Sequence, residues 1–324
     1  MKLITTFKRN NTFNQFMKRA LFILLVLFLA ACNQQNPQEI NQVSAVTSYV
    51  RSGTQGVEMQ FVQNLPPRQM YETGDLVTLI ELRNKGSHDL GREPFQQCFV
   101  HFGGFDKNII RGVEERKTCG DLPGKSAFLQ DGGFTSIEFT SRGITLPADT
   151  DKYVPPLVAT VCYEYKTIAT PQVCVDPNFF EITSEQKACI VRDAAVSGGQ
   201  AAPVAVTAVN VDMAGPTAIF TIDISNVGGG RVISPRTPLT KCPKLDYNDF
   251  DEVQFSVELP SGQFFKCAPE TQLVRLTNGR GRFVCQFKIG NTPAYQTPLR
   301  VELNYNYMNT VRRDVEIIRT PQFD

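Results

Sequence analysis

The sequence lacks tryptophan altogether and contains only two histidines among its 324 residues. Histidine is the side chain that most often transfers protons near neutral pH, so its scarcity narrows the catalytic repertoire. His88 and His101 have no serine or carboxylate constellation at a recognisable spacing, and the motifs Gly-x-Ser-x-Gly and His-Glu-x-x-His are absent. The sequence therefore predicts a protein that is not an enzyme and needs no cofactor.

An excess of charge of either sign is also missing. The chain contains 33 basic and 32 acidic residues, for a formal net charge of +1. Beyond the N-terminal region no basic run is longer than two residues. Because nucleic acids favour a strongly basic face, this balance predicts that the protein does not bind them.

One long uncharged apolar run is present, and it lies near the N-terminus. Ala20–Ala31 follows Lys18 and Arg19 and contains no charged or polar side chain. Its twelve residues are fewer than the roughly 20 that a membrane-spanning helix needs, but they suit the apolar region of a secretory signal. The run ends in Leu-Ala-Ala followed by Cys32, and these four positions resemble the lipobox of prokaryotic lipoproteins.

The lipobox resemblance implies that residues 1–31 are a signal peptide and that Cys32 carries the lipid. Residues 32–52 are rich in Asn and Gln and are predicted to form a polar tether. The resemblance implies a protein anchored to a membrane on the extracytoplasmic side of the cell envelope. An ordinary signal peptide cut near Ala31 and an uncleaved anchor are the alternatives, and Met1 or Met17 can be the start.

Nine cysteines are many for a cytosolic protein of this length. None forms a Cys-x-x-Cys pair, and no histidine lies at a zinc-ligand spacing from them. If Cys32 carries lipid, an even number remains, which favours a disulfide framework in an exported chain. The remaining eight are Cys98, Cys119, Cys162, Cys174, Cys189, Cys242, Cys267 and Cys285.

A repeated pattern organises the rest of the chain. Leu157–Tyr165 and Leu299–Tyr307 each follow a proline and place apolar or aromatic residues at every second position, 142 positions apart. Strict alternation predicts a half-buried strand. Ile80–Gly86 and Ile222–Gly228 repeat at the same offset, and both end in Asn-x-Gly. We expect this ending because Asn and Gly tolerate positive φ.

The repeat predicts an all-β chain of two tandem domains. Each unit shows about seven short strands separated by Gly, Pro and Asn turns, which is typical of a β-sandwich with Greek-key connections. We predict one sandwich over 53–180, a linker over 181–202 and a second sandwich over 203–324. Phe220–Gly230, an alternating strand followed by Asn-Val-Gly-Gly-Gly, resembles immunoglobulin-like, cell-adhesion-related modules of prokaryotic surface proteins. The resemblance implies an immunoglobulin-like fold in both units.

Repeat equivalence also predicts two of the disulfides. A proline lies four residues before Cys98 and four before Cys242, and Cys119 and Cys267 each precede a strand phenylalanine by twenty residues. The pairs Cys98–Cys119 and Cys242–Cys267 would then be equivalent bridges.

The other four cysteines are less constrained by the repeat. Cys162 lies in the outward phase of its strand, and a turn near Ile168 would bring Cys174 opposite it, so we predict a Cys162–Cys174 bridge. Cys189 and Cys285 are left over. They can form a bridge, or Cys285, which alternates with core phenylalanines and is predicted to match Ile137, can be a buried thiol.

The acidic run between Asp246 and Glu252 gathers oxygen ligands on a predicted loop. Asp246, Asp249, Asp251 and Glu252 are the candidate ligands for calcium, which prefers six to eight oxygens. The run lacks the EF-hand glycine, and a solvated acidic loop without metal is the favoured interpretation.

These predictions together favour a lipid-anchored cell-envelope protein that serves as a non-catalytic structural or binding (adhesion-type) module. Its partner would be a protein or a glycan, bound by loops at a sandwich end or by an exposed sheet edge. The paired tyrosines of the repeated strand are expected in the core rather than in a ligand platform. One alternative is a subunit of a surface filament or layer that retains its hydrophobic N-terminal segment. Another is an extracellular carbohydrate-binding protein or hydrolase.

Overall fold

The computed structural model describes residues 50–92, 96–181, 186–196, 199–290 and 292–321. The predicted signal peptide, the lipid site Cys32 and most of the predicted tether lie outside these residues, so they stay predictions. The described part is all-β, as the sequence predicts, and belongs to one compact unit. Short 3-10 turns lie at Gly199–Ala201, Leu239–Lys241 and Tyr247–Asp249.

The strands divide between two halves of the described chain. Those of the first half are β1 (Val57–Phe61), β2 (Gln69–Tyr71), β3 (Val77–Asn84), β4 (Cys98–Gly103), β5 (Ile110–Arg111), β6 (Arg116–Thr118), β7 (Phe134–Thr140), β8 (Gly143–Ile144), β9 (Lys152–Tyr153), β10 (Pro156–Ala169) and β11 (Gln172–Val175). Those of the second half are β12 (Ala194–Ala195), β13 (Val204–Ala214), β14 (Thr217–Asn226), β15 (Arg231–Ile233), β16 (Glu252–Glu258), β17 (Gly262–Ala268), β18 (Leu273–Arg275), β19 (Arg280–Ile289), β20 (Tyr295–Pro298), β21 (Arg300–Asp314) and β22 (Glu316–Ile318).

One large sheet runs through both halves. Its strand order is β18-β16-β21-β10-β4-β6, with β15 also paired to β21. The junction between the halves is the antiparallel pair β10–β21, in register from Pro156 opposite Asp314 to Ala169 opposite Val301. These two strands contain the repeated alternating pattern, except that Leu299 lies just before β21. Both strands extend beyond the pattern at its C-terminal end. We call this sheet the shared sheet.

A smaller sheet packs on the shared sheet in each half. In the first half it is β1-β3-β7, and Phe139 of β7 stacks on Phe102 of β4 with ring centroids 5.0 Å apart. In the second half it is β12-β13-β14-β19-β17, and Phe283 of β19 stacks on Phe255 of β16 at 3.8 Å. Aromatic pairs of this kind join two sheets across a sandwich core. The layering is consistent with β-sandwiches, and the immunoglobulin-like topology of two tandem domains stays a prediction.

Two further small sheets also join the halves. The last strand, β22, pairs in parallel with β2 and antiparallel with β9, both from the first half. Strand β11 of the first half pairs with β20 of the second. Buried apolar side chains of both halves accordingly form one continuous core. The halves are therefore joined by strand pairing as well as by side-chain packing.

The Asn-x-Gly endings of β3 and β14 have a different reason from the predicted one, because none of these Asn and Gly residues has positive φ. The Asn84 side-chain amide donates to the carbonyls of His88 (2.7 Å) and Leu122 (3.0 Å), and its oxygen accepts from the Gly86 amide (3.1 Å). A Cβ on Gly86 would overlap the Tyr165 hydroxyl. The motif therefore closes a turn through side-chain bonds and leaves room for a tyrosine.

Candidate functional site

The structure shows how the cysteines that the sequence predicts to form disulfides are paired. Cys98 and Cys119 are bonded, with Cα atoms 5.4 Å apart, as the sequence predicts. Cys98 begins β4 and Cys119 directly follows β6, and the Cys119 amide donates to the Cys98 carbonyl (3.0 Å), so this bridge joins the two strands at the margin of the shared sheet.

The other two predicted pairings are wrong. Cys162 is bonded to Cys242 rather than to Cys174, and Cys174 is bonded to Cys189. Cys267 is bonded to Cys285, which lies directly opposite it in the β17–β19 pair. Neither Cys189 nor Cys285 is therefore a free thiol.

The pairing failed because the repeat alignment does not hold for Cys242. The registers of β4 on β10 and of β16 on β21 make Val253, not Cys242, the counterpart of Cys98. Asn226 and Val253 are 27 positions apart, whereas Asn84 and Cys98 are 14 apart. Cys242 lies in this longer connection of the second half and has no counterpart in the first.

In the second half, the positions equivalent to Cys98 and Cys119 are Val253 and Val274. These two valines lie opposite each other and form an apolar contact instead of a disulfide. The repeat alignment also matched Cys285 to the wrong counterpart in the first half. The register of β14 with β19 matches it to Phe139 rather than to Ile137.

The four repeated tyrosines form a buried cluster, as predicted for core residues. Tyr163, Tyr165, Tyr305 and Tyr307 are each no more than 2% exposed. Neighbouring ring centroids around the cluster are 5.9–6.3 Å apart. Burial raises the pKa of each phenol, in Tyr307 to about 12, so the hydroxyls remain protonated hydrogen-bonding groups. The cluster therefore joins the halves and offers no exposed surface to a ligand.

Carboxylates of the acidic run pair with nearby cations. Lys241 donates to Asp246 (2.8 Å) and to Asp249 (2.5 Å), and Glu252 accepts from Arg236 (2.6 Å). Within the described ranges, no three His, Cys, Asp or Glu side chains converge in a way that could hold a metal ion. Asp246, Asp249 and Glu252 thus form ion pairs within their own connection. The hydrogen bond from Lys241 holds the pKa of Asp249 below its usual range.

The two histidines lie on different elements, His88 in the connection between β3 and β4 and His101 within the shared sheet. His88 contacts the Tyr165 ring edge-on, with centroids 5.3 Å apart. His101 is on β4, and burial lowers its pKa.

Surface features that the sequence did not single out lie on β17. This strand is at one end of the five-stranded sheet, and among the described residues no strand pairs with its outer edge. An edge strand presents unpaired backbone N–H and C=O groups to which another extended segment can add. We call β17 the binding edge.

The binding edge contains two consecutive phenylalanines, Phe264 and Phe265. Phe264 lies opposite Phe287 and contacts its ring edge-on, with centroids 5.8 Å apart, at the margin of the core. The register shifts between Phe264 and Lys266, so Phe265 occupies a bulge, which redirects a side chain. Phe264 is 50% exposed and Phe265 is 48% exposed. Phe264 lies on the face of Phe287 and Phe265 on the face of Lys288, so each face of this edge strand exposes one aromatic ring.

No protein-family model matches the sequence, and no curated protein does. The site is therefore assigned from its geometry. Lys266 and Lys288 place their ammonium groups over the Phe265 ring, 5.6 and 4.7 Å from its centroid. Cation–π contacts of this kind hold a ring in place at a wet surface.

The binding edge therefore combines a free backbone edge, a ring on either side of it and two cations. A signal for it was present in the sequence, since Phe264-Phe265-Lys266 interrupts strict alternation within a strand. Which strand would be at the edge could not be deduced, because that depends on strand order.

The four disulfides indicate an extracellular or otherwise oxidising environment. In the part of the chain that the structure covers, there is no helix of the length and apolar character needed to cross a bilayer.

Proposed function

We propose that this protein is a lipid-anchored cell-envelope protein that binds a protein partner without catalysing a reaction. The lipobox-like leader supports the anchor, and the four disulfides support an extracytoplasmic location. The binding edge carries the proposal of partner binding.

The proposed mode of binding is addition of an extended partner segment to β17. Backbone hydrogen bonds along the free edge would supply affinity, and alternate partner side chains would contact Phe264 on one face and Phe265 on the other. The bulge and Lys266 make the edge irregular and charged, which disfavours indiscriminate pairing between edges. The partner is therefore an extended polypeptide with apolar side chains on both faces.

The edge is tested by photo-crosslinking in intact envelopes. A photoreactive residue replaces Gln263, which is exposed on β17, and a matched control replaces Gln254, which is exposed on β16 but paired on both sides, with β18 and β21. We expect adducts with one partner from position 263 and none from 254. We also expect a synthetic peptide of the crosslinked partner segment to bind the full-length protein, and the variant Phe264→Ser with Phe265→Ser to bind it at least tenfold more weakly.

Adducts only between copies of this chain would instead favour assembly into a filament or layer, since two such edges can pair with each other. Equal adducts from positions 254 and 263, or none from 263, would refute the binding edge. The anchor is tested separately by mass spectrometry of the mature N-terminus and by Cys32→Ala. Release of that variant from the membrane is the expected result, and an unmodified Met1 on a cytosolic protein would contradict it.

A further inference from the structure

A row of polar side chains crosses the outer face of the shared sheet, away from the tyrosine cluster. Thr160 of β10 lies opposite His101 of β4, and His101 lies opposite Arg116 of β6. Side chains at registered positions of neighbouring strands point to the same face. The row therefore brings a hydroxyl, an imidazole and a guanidinium together within the first half.

The second half supplies a wall beside this row. The Cys162–Cys242 disulfide fixes the connection that contains Thr240–Lys244 to the sheet. Leu239 and Phe250 of the same connection are buried around this disulfide and secure it on both sides.

The row and the wall enclose a cavity of about 420 Å³. Gly103 lies on the same strand as His101, and a Cβ there would have no atom within 4 Å, so the floor beside the histidine is open. The cavity exists only where both halves meet, because neither the row nor the wall encloses it alone.

Two cations that line the cavity have no carboxylate partner among the described residues. The Arg116 guanidinium lies over the Phe99 ring, 5.3 Å from its centroid, and makes no ion pair there. Lys244 is exposed and likewise makes no ion pair with any described residue. The other charges in the lining are already paired, because Lys241 binds Asp246 and Asp249, and Glu115 binds Lys107. The cavity therefore presents net positive charge.

The histidine in the row has an unused hydrogen-bonding atom. His101 Nε2 is buried and has no hydrogen-bond partner among the described residues. Buried polar atoms are nearly always hydrogen-bonded, to the protein, to water or to a ligand. Burial and the neighbouring Arg116 lower the pKa of the imidazole, and the neighbouring Glu115 only partly opposes them.

We propose that this cavity binds the phosphate group of a ligand, with Arg116 and Lys244 neutralising its charge and His101 hydrogen-bonding one of its oxygens. Arginine presents a planar fork that matches phosphate oxygens, and lysine binds them as a point charge. A lipid headgroup and a soluble phosphate compound share this chemistry. The site is separate from the binding edge and does not depend on it.

The test follows the two histidines by NMR in the full-length protein, labelled with carbon-13 histidine and held in detergent micelles. The chain has only two histidines, so the variant His101→Gln assigns both signals. Inorganic phosphate is titrated in, with sodium chloride at matched ionic strength as the control. We expect phosphate to shift the His101 signal saturably and to leave His88 unchanged. Chloride is expected to shift neither.

The variant Arg116→Gln with Lys244→Gln is expected to weaken phosphate binding at least tenfold. The variant Arg142→Gln with Arg280→Gln removes the same charge at two exposed positions elsewhere and is expected to leave phosphate binding unchanged. If the first variant does not fold, Lys244→Glu, which changes one exposed side chain, is expected to give the same loss. An equal shift with chloride, or unchanged binding in Lys244→Glu, would overturn the proposal.

Vesicles distinguish the two sources of phosphate. Binding to phosphatidylglycerol vesicles that is lost in Lys244→Glu, with no binding to phosphatidylcholine, supports a lipid headgroup. Binding of inorganic phosphate without vesicle binding supports a soluble phosphate compound.

Discussion

Glu164 on β10 lies directly opposite Asn306 on β21, and these two residues occupy the same position in their respective halves. An approximate twofold axis therefore passes between them. The same register places Tyr163 opposite Tyr307 and Tyr165 opposite Tyr305. The repeated strand pairs with its own copy, as the contact surface does in a symmetric dimer, but within one chain.

The hydrogen bonds around this axis are also duplicated. The amide of Val57 donates to the Tyr163 hydroxyl, and the amide of Val204 donates to the Tyr305 hydroxyl, both at 3.1 Å. The carbonyls of the same valines accept from the opposite half, Val57 from Asn309 (2.8 Å) and Val204 from Thr167 (2.6 Å). Strands β1 and β13 are thus held by side chains from both halves.

Removing a tyrosine hydroxyl should therefore destabilise the protein. Tyr163→Phe leaves the buried Val57 amide without a partner, and we expect a loss of about 1–3 kcal/mol in the free energy of unfolding. Tyr305→Phe should have a similar effect through Val204. Chemical denaturation measures both. Tyr247→Phe, at an 81% exposed position, is the control and should change stability by less than about 0.5 kcal/mol. A similarly small change in Tyr163→Phe would contradict the role assigned to its hydroxyl.

A methyl group at Gly86 should conflict with the tyrosine beside it. Gly86→Ala is expected to cost about 1–3 kcal/mol, because its Cβ would overlap the Tyr165 hydroxyl and lie 2.8 Å from the carbonyl oxygen of Ala201. The cost should fall when Tyr165→Phe is combined with it, and a double-mutant cycle measures this coupling. Gly229→Ala is the control, since a Cβ there has open space. Strictly additive effects of the two changes would show that the hydroxyl is not the obstacle.

The Cys162–Cys242 bridge should contribute more stability than a short-range bridge. Its cysteines are 80 residues apart, against 15 for Cys174–Cys189. The loop-entropy relation gives about 4.5 kcal/mol for the longer separation and about 3 kcal/mol for the shorter. We expect the variant Cys162→Ala with Cys242→Ala to lower the guanidinium midpoint more than Cys174→Ala with Cys189→Ala. The reverse order would mean that the longer connection is held mainly by its buried side chains.

The tyrosine cluster should make the fold sensitive to alkali. Burial raises the pKa of these phenols above the unfolded value of about 10, to about 12 in Tyr307. The unfolded chain therefore releases protons first, so stability is complete below about pH 10 and falls as the pH rises towards 12 and beyond. Each such tyrosine contributes a slope of about 1.4 kcal/mol per pH unit while only its unfolded form is ionised.

Tyrosinate absorbance and circular dichroism measured together test this. The chain has nine tyrosines, and the four of the cluster are expected to ionise only as the fold is lost. Ionisation of all nine while the circular dichroism spectrum remains native would contradict the expectation.

Local pattern was sufficient to predict the all-β class and the burial of the four repeated tyrosines, although each half has eleven strands rather than about seven. It was not sufficient for the disulfides beyond Cys98–Cys119, because the longer connection of the second half contains Cys242, and alignment by spacing matched it to the wrong position. The binding edge was missed for a related reason. Phe264 and Phe265 were visible in the sequence, but their exposure depends on β17 being last in its sheet.

The sequence by itself determined the all-β composition, the internal repeat and the oxidised state expected of its cysteines. The first two follow from alternating side chains and turn residues, which act within a strand and its neighbours. The third follows from the number of cysteines, which is a property of composition. Only the tertiary structure decided that the two copies pair with each other, that Cys162 reaches Cys242, and that a cavity lies between His101 and Lys244. The physical reason is that each of these features depends on two segments far apart in the chain, whose contact is selected by burial of one continuous core.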